Sequence, residues 1–162
     1  MQDSDIKKAS INLLSFQVTS CVLDCSTVFV QPPANAKLTF TLNHNACKIV
    51  EDPNVFIIQF WLKLGVEERG FDLNLTFKTL FKSDNIVDDN FLNSQFVRLN
   101  APAIAFPFLR SFVSTLTVNA GYGGVILPAI NFAESKFLEE APKADTASPQ
   151  TARAENIPPT QK

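Results

Sequence analysis

The stretch that decides the fold runs from Asn100 to Phe132 and reads NAPAIAFPFLRSFVSTLTVNAGYGGVILPAINF. Apolar side chains in its middle recur at the spacing that places them on one stripe of an α-helix; they are Leu109, Phe112, Val113, Leu116 and Ala120. Pro102 and Pro107 favour a helix start, because a residue in the first turn needs no intrahelical N–H, and Gly121 favours a helix end. We therefore expect one main helix from about Pro102 to Ala120, with one proline inside it or just before it.

The segment after this helix contains more apolar residues than the core of a small domain requires. Gly121 to Gly124 permit a tight loop, and the following segment from Val125 to Ile130 is apolar without a clear period. Asn131 and Glu134 have the spacing of a capping box, which predicts a short second helix. Apolar segments beyond the needs of a small core indicate self-association or the binding of an apolar partner.

The half of the chain before the main helix alternates apolar and polar residues with the period of two that is typical of half-buried strands. Three such segments are clear: Leu38–Asn43, Val55–Leu64 and Phe71–Phe77. A fourth, near the start of the chain, places on one face Leu14, Phe16, Val18 and Val22. Cys21 falls on its other face. We predict an α+β fold: a four-stranded antiparallel meander from about Leu13 to Phe81, packed against the main helix and a short C-terminal helix.

Composition limits the classes of function. A chain of 162 residues with 46% hydrophobic and 19% charged residues can bury a core as one domain. We expect a flexible N-terminus over 1–9, one domain over 10–140, and a disordered tail over 141–162, where Pro, Ala, Thr and Gln accumulate. The net charge of −2, without a basic stripe, argues against nucleic acid. The N-terminus does not resemble a secretory signal and no apolar run reaches membrane-spanning length, so we expect a cytoplasmic protein without membrane insertion.

Catalytic and metal-binding patterns are missing from the sequence. Cys21, Cys25 and Cys47 have no metal-ligand spacing, which favours reduced thiols buried as small hydrophobes. The single histidine, His44, cannot build a zinc site or a catalytic triad alone and is interpreted as an ordinary surface residue. The acidic residues at 84, 88 and 89 lack the spacing of a calcium loop. We therefore expect no metal, no cofactor and no enzymatic activity.

Two motifs in the deciding stretch resemble the SecB family of protein-export chaperones. The first is a Pro-x-Ile-x-Phe-Pro-aromatic-x-Arg pattern formed by Pro102, Ile104, Phe106, Pro107, Phe108 and Arg110. The second is a Leu-Pro-x-x-Asn-Phe loop ending formed by Leu127, Pro128, Asn131 and Phe132. With the strand-rich half, the resemblance covers roughly residues 10 to 140. It implies a chaperone that holds unfolded polypeptides in an apolar groove without ATP, as a tetramer built from two dimers.

The resemblance also implies roles for individual residues. The client groove would be lined by Ile126, Leu127, Ile130, Phe132, Phe137 and Leu138. Chains would assemble through the main helix, by way of Leu109, Phe112, Val113 and Leu116. Without the resemblance, the composition allows equally an α+β module that binds one apolar partner.

The outer face of the predicted sheet differs from the family pattern. SecB proteins present an acidic sheet face to the translocation ATPase SecA, whereas the outward positions here carry Asp72 against Lys37, Lys63 and Lys78. A reversed potential disfavours docking, so SecA is a doubtful partner. This favours a narrower role, such as chaperoning the antitoxin of a toxin–antitoxin system, over general export.

Overall fold

The computed structural model describes residues 10–25, 37–66 and 70–133. Its elements, in chain order, are β1 (Ile11–Cys25), β2 (Leu38–Lys48), β3 (Val55–Val66), β4 (Phe71–Ser83), α1 (Asp89–Leu92) and α2 (Gln95–Asn119). The four strands form one antiparallel sheet, and α2 packs across one of its faces. The predicted α+β class is confirmed. The short helix predicted after Asn131 falls mostly on residues outside those described.

The strand order differs from that of the predicted meander, in which β1 would pair with β2. β2, β3 and β4 pair consecutively, but β1 pairs with β4, so the order across the sheet is β1-β4-β3-β2. This is the order of a Greek key, in which one end strand reaches its neighbour by a long connection. It leaves β3 and β4 at the centre of the sheet and β1 and β2 at its edges.

The central strands alternate as the sequence predicts. Along β3 and β4, every second side chain is buried against α2, and the core members include Phe56, Phe60, Leu62, Leu73 and Phe77. The intervening side chains form the outer face of the sheet. A central strand with one face under a helix has this pattern because only that face leaves water.

β1 departs from the predicted alternation. Its pairing with β4 shifts register twice, just after Leu13 and just after Val18. Each extra residue moves the following side chains to the opposite face. Cys21 therefore lies opposite the buried Leu75, and Val22 lies on the outer face. The predicted faces were wrong beyond the second shift, since no local sequence signal marks a bulge of this kind.

The three cysteines are free thiols and are exposed, so the prediction that they are buried was wrong. They lie on β1 and β2, whose edge positions leave side chains open to water. Partial burial raises the pKa of the Cys21 thiol, which favours its protonated form at neutral pH.

α2 begins seven residues before the predicted start. Ser94 caps it, because its Oγ accepts a hydrogen bond from the N–H of Val97 at 3.3 Å. Both Pro102 and Pro107 lie inside the helix, so the prediction that a proline marks its start was wrong. The predicted end at Gly121 is confirmed. Gly121 has φ 84°, and the N–H of Tyr122 reaches back to the carbonyl of Thr117 at 3.0 Å, as in a Schellman motif.

α2 also has the length and apolar composition of a membrane span, contrary to the sequence prediction that no run reaches that length. The core helix of a soluble protein meets the same criterion. Here one side of α2 is buried on the sheet, through Ala101, Ala105, Leu109 and Val113. That packing accounts for the apolar side chains on this side of the helix, and 39% of its most apolar 18-residue window is buried.

Candidate functional site

A groove of about 510 Å³ separates α2 from the segment that follows it. We call it the α2 groove. Its helix wall includes Ala103, Phe106, Pro107, Arg110, Ser111, Ser114 and Thr115. Its loop wall is formed by Ile126, Ala129, Ile130 and Phe132. A groove of this size is in the range that holds a small ligand or a few side chains.

The beginning of the loop wall is anchored by Thr117. This residue is fully buried on α2, and its Oγ1 accepts a hydrogen bond from the N–H of Val125 at 2.9 Å. The same hydroxyl donates to the carbonyl of Val113 at 3.0 Å. Both the backbone N–H and the hydroxyl would otherwise be buried without partners, which is costly. Thr117 therefore fixes where the loop leaves the helix.

Tyr122 holds the turn between α2 and the loop wall. Its ring packs on Phe71 with the ring centroids 4.8 Å apart. A hydrogen bond with the thiol of Cys25 raises the pKa of Tyr122. The turn is thus tied to β4 and to the end of β1.

The end of the loop wall is anchored by Phe132, which is buried in an aromatic cluster. Its ring meets Phe106 edge-on at 5.8 Å and His44 edge-on at 5.4 Å, and Phe60 lies 6.5 Å away. Edge-to-face pairs of this kind add stability beyond the area they bury. Both ends of the loop wall are therefore held by buried contacts, while its middle faces the groove.

His44, on β2, packs against this cluster and supplies a backbone hydrogen bond that Pro102 cannot make. A proline has no N–H, so Pro102 cannot donate to the carbonyl of Arg98 four residues earlier. The imidazole of His44 hydrogen-bonds that carbonyl instead. Burial lowers the pKa of His44, partly offset by this bond, and the Arg98 charge lowers it further. Nδ1 is buried with no partner among the described residues. His44 is therefore not the ordinary surface residue that the sequence suggested.

Three of the predicted client-binding residues line the α2 groove: Ile126, Ile130 and Phe132. Ile126 is the most open, with 62% of its surface exposed. Leu127 is fully buried in the core, because the chain turns it toward the sheet between its exposed neighbours, so it offers no surface to a client. Phe137 and Leu138 lie outside the described residues.

The predicted assembly residues fall into two groups. Leu109 and Val113 are fully buried against the sheet, so they have no surface with which to contact a second chain. Phe112 and Leu116 are half-buried beside them. The apolar side chains that α2 exposes lie on another stripe, which includes Ile104 and Phe108.

The outer face of the sheet carries more charges than the sequence count included. Asp24 lies directly opposite Asp72, and Lys82 projects from β4 between the buried Phe81 and Ser83. The strands thus present Lys63, Lys78 and Lys82 against these two aspartates, a net charge of +1. Lys37 precedes β2 and is exposed.

The residues that sequence reasoning missed are those that hold the loop wall. Thr117 continues the four-residue spacing of Leu109 and Val113 on the buried side of α2. The sequence does not indicate that its hydroxyl bonds the N–H of Val125, eight residues later. His44 precedes Asn45 in a polar run and gives no local signal of burial. Their roles depend on contacts between α2, β2 and the loop.

The acidic residues of the connector have structural roles. Asp88 caps α1 by accepting from the N–H of Phe91 at 2.7 Å, and Asp89 pairs with Lys48 at 3.0 Å. Over residues 10–25, 37–66 and 70–133, no group of three or more potential ligands could hold a metal ion.

Comparisons with known proteins place this architecture in a family. The family model described as preprotein translocase subunit SecB matches residues 3–140. An uncharacterized protein of Methanocaldococcus jannaschii, MJ0357, is 41% identical over 58 residues, which cover 35% of this chain and only 37% of that protein.

A solved structure shares the fold. The SecB-like chaperone Rv1957 of Mycobacterium tuberculosis, in complex with a ChAD peptide from the HigA1 antitoxin, aligns with a TM-score of 0.58 and 10% identity. The alignment covers 74% of this chain and 87% of that one. At this identity the likeness establishes the fold alone. Because the family model spans most of the chain, from the first strand through the loop wall, the protein belongs to the SecB family.

Proposed function

We propose that this protein is a cytoplasmic chaperone that holds non-native polypeptide segments in the α2 groove without ATP. The observation that carries the proposal is the loop wall, which keeps apolar side chains exposed although both of its ends are firmly anchored. Exposed apolar surface that is built into a fold marks a site for an apolar partner. Membership of the SecB family supports the same function.

The anchors explain how such a groove stays available. Thr117 and Phe132 hold the loop wall at either end, and Ile126 between them is 62% exposed. A preformed groove spares a client part of the ordering cost of binding. Each groove contacts only a short segment, so strong holding would require several segments of one client to bind several grooves together.

The test is suppression of aggregation of several unrelated unfolded proteins, monitored by light scattering. The native chain should suppress it, and Ile126→Ser should suppress it several-fold less at equal concentration. Val50→Ser is the matched control, since Val50 is 93% exposed in the β2–β3 turn and is not among the residues that line the groove. Equal suppression by both variants contradicts the groove assignment. Suppression of none of these proteins would favour a module for one defined apolar partner.

The charge of the outer sheet face favours a dedicated client over general export. By resemblance, export requires an acidic sheet face for SecA, and the strands here present a net charge of +1. Complementary potentials steer association, so SecA should associate weakly at low salt. A specific peptide, such as a segment of an antitoxin, is the alternative client class.

This preference can be tested by titrating purified SecA at low ionic strength. We expect no submicromolar binding. If SecA does bind at that level and Asp72→Lys abolishes the binding, the charge argument is wrong and general export becomes the better proposal.

A further inference from the structure

The α2 groove contains one unbalanced charge. Arg110 is the single charged side chain among the described residues that line it, and no described lining residue is acidic. Arg110 is half-buried, and within the described part of the chain it has no salt-bridge or hydrogen-bond partner. A guanidinium that is partly withdrawn from water and unpaired gains more from a carboxylate than an exposed one does.

The groups around Arg110 divide the groove into two chemical halves. Ser111, Ser114 and Thr115 lie with Arg110 on the helix wall, where their hydroxyls can donate or accept hydrogen bonds. The facing loop wall is apolar, with Ile126 and Ile130. A bound segment therefore meets a cationic, hydroxyl-bearing wall on one side and an aliphatic wall on the other.

We propose that the α2 groove selects polypeptide segments in which an acidic side chain lies beside apolar side chains. The carboxylate would pair with Arg110, and the apolar neighbours would pack on Ile126 and Ile130. A basic side chain at the same place would bring a like charge against Arg110 in a partly desolvated site. This inference rests on the proposed function and names its class of ligand.

The experiment compares three fluorescent peptides with the same apolar residues and with Glu, Gln or Lys at one central position. Anisotropy titrations with the full chain should show the Glu peptide binding about tenfold more tightly than the Lys peptide, because hydrogen bonds to charged groups are the stronger ones. Arg110→Gln should reduce this ratio to about one, and Arg110→Lys should retain part of it. Lys82→Gln removes a positive charge from the exposed outer face of the sheet, outside the groove, and should leave the ratio unchanged.

Each outcome separates the inference from the proposed function. Equal affinity for all three peptides, together with weaker binding after Ile126→Ser, overturns acidic selection and leaves the chaperone proposal intact. A ratio that persists in Arg110→Gln also overturns it. Absence of binding by every peptide, together with no suppression of aggregation, overturns both.

The chain itself contains a competing occupant. Residues 134–140 combine Glu134, Glu139 and Glu140 with Phe137 and Leu138, which is the same acidic and apolar chemistry. If Phe137→Ser raises the affinity for all three peptides, the chain's own segment occupies the groove. That result would overturn the proposal that the occupant is a segment of a partner polypeptide. If Phe137→Ser weakens binding or leaves it unchanged, a partner segment remains the occupant.

Discussion

The two long faces of α2 both carry apolar residues but differ in burial. The inner stripe, which is buried on the sheet, consists of Ala101, Ala105, Leu109, Val113 and Thr117. The outer stripe, which is exposed, includes Ile104, Phe108, Ser111, Thr115 and Val118. The inner stripe holds the fold together and anchors the loop wall, whereas the outer stripe offers apolar surface that the monomer does not use. Apolarity alone therefore does not tell a buried stripe from an exposed one on this helix.

The largest expected difference between the stripes comes from two neighbouring residues. Leu109→Ala should lower the free energy of unfolding by about 2–5 kcal/mol, because it leaves a cavity in a fully buried position. Phe108→Ala should cost only about 1 kcal/mol, since Phe108 is 39% exposed and its ring centroid lies 5.3 Å from that of Phe16 at the sheet edge. Urea denaturation of both variants measures the difference. Equal losses would show that the two stripes are not distinct.

The same pair of variants tests assembly. We propose that the chain forms a homo-oligomer, as the family resemblance implies, through Phe108, Ile104 and the exposed Phe16 at the β1 edge. Phe108→Glu should then dissociate it in light scattering without unfolding it. Leu109→Ala should lower stability and leave the mass unchanged where the chain is folded. Denaturation at several protein concentrations separates the contribution of self-association. A native chain that is monomeric at micromolar concentration would refute the assembly.

The sequence predicted the parts of the fold that rest on local patterns. β3 and β4 follow a strict period of two because each is central and covered on one face, so Phe56 and Phe71 were placed correctly. β1 could not be predicted as well, since its two bulges depend on pairing with β4. The start of α2 was missed because Pro102 and Pro107 were interpreted as residues of the first helical turn. Both lie inside the helix, where His44 supplies the hydrogen bond to the carbonyl of Arg98 that Pro102 cannot make.

The groove was predicted only in part. The apolar surplus after Gly121 correctly indicated a surface segment, and Ile126 and Ile130 do line the groove. Leu127 belongs to the same apolar run but points into the core, which the run itself does not reveal. Arg110 entered the sequence analysis only as part of a family pattern. Its place on the groove wall follows from the position of the loop, which is set by tertiary contacts.

A smaller effect is expected at Thr117, the polar member of the inner stripe. Thr117→Val keeps the shape of the side chain but leaves the buried N–H of Val125 without a partner, which should cost about 1–3 kcal/mol. It should also weaken client holding, because the loop wall loses its first anchor. Thr117→Ser keeps the hydroxyl and should retain the holding activity. Thr115→Val, on the exposed helix wall, should change stability by less than about 0.5 kcal/mol. If Thr117→Val and Thr117→Ser hold clients equally well, the hydrogen bond to Val125 does not support the groove.

The smallest effect should be a pH dependence of stability caused by His44. Its imidazole bonds the carbonyl of Arg98, to which Pro102 cannot donate. Burial lowers the pKa of His44 below its ordinary value of 6.5, so as pH falls the unfolded chain takes up a proton before the folded chain does. The stabilising contribution of neutral His44 is therefore fully present above about pH 6.5 and is lost as pH falls toward the lower pKa of the folded state. Urea midpoints measured from about pH 7.5 down to about pH 5.5 should decline for the native chain, in a range where most carboxylates stay ionised.

The reference for this measurement is His44→Gln, which removes the only histidine of the chain and keeps a hydrogen-bond donor for the carbonyl of Arg98. Its midpoint should change less over the same range. Because His44 meets Phe132 at the end of the loop wall, client holding by the native chain should weaken with its stability as the imidazole becomes protonated. If both chains show the same pH dependence, His44 protonation contributes nothing, and the support that β2 gives to α2 rests on aromatic packing alone.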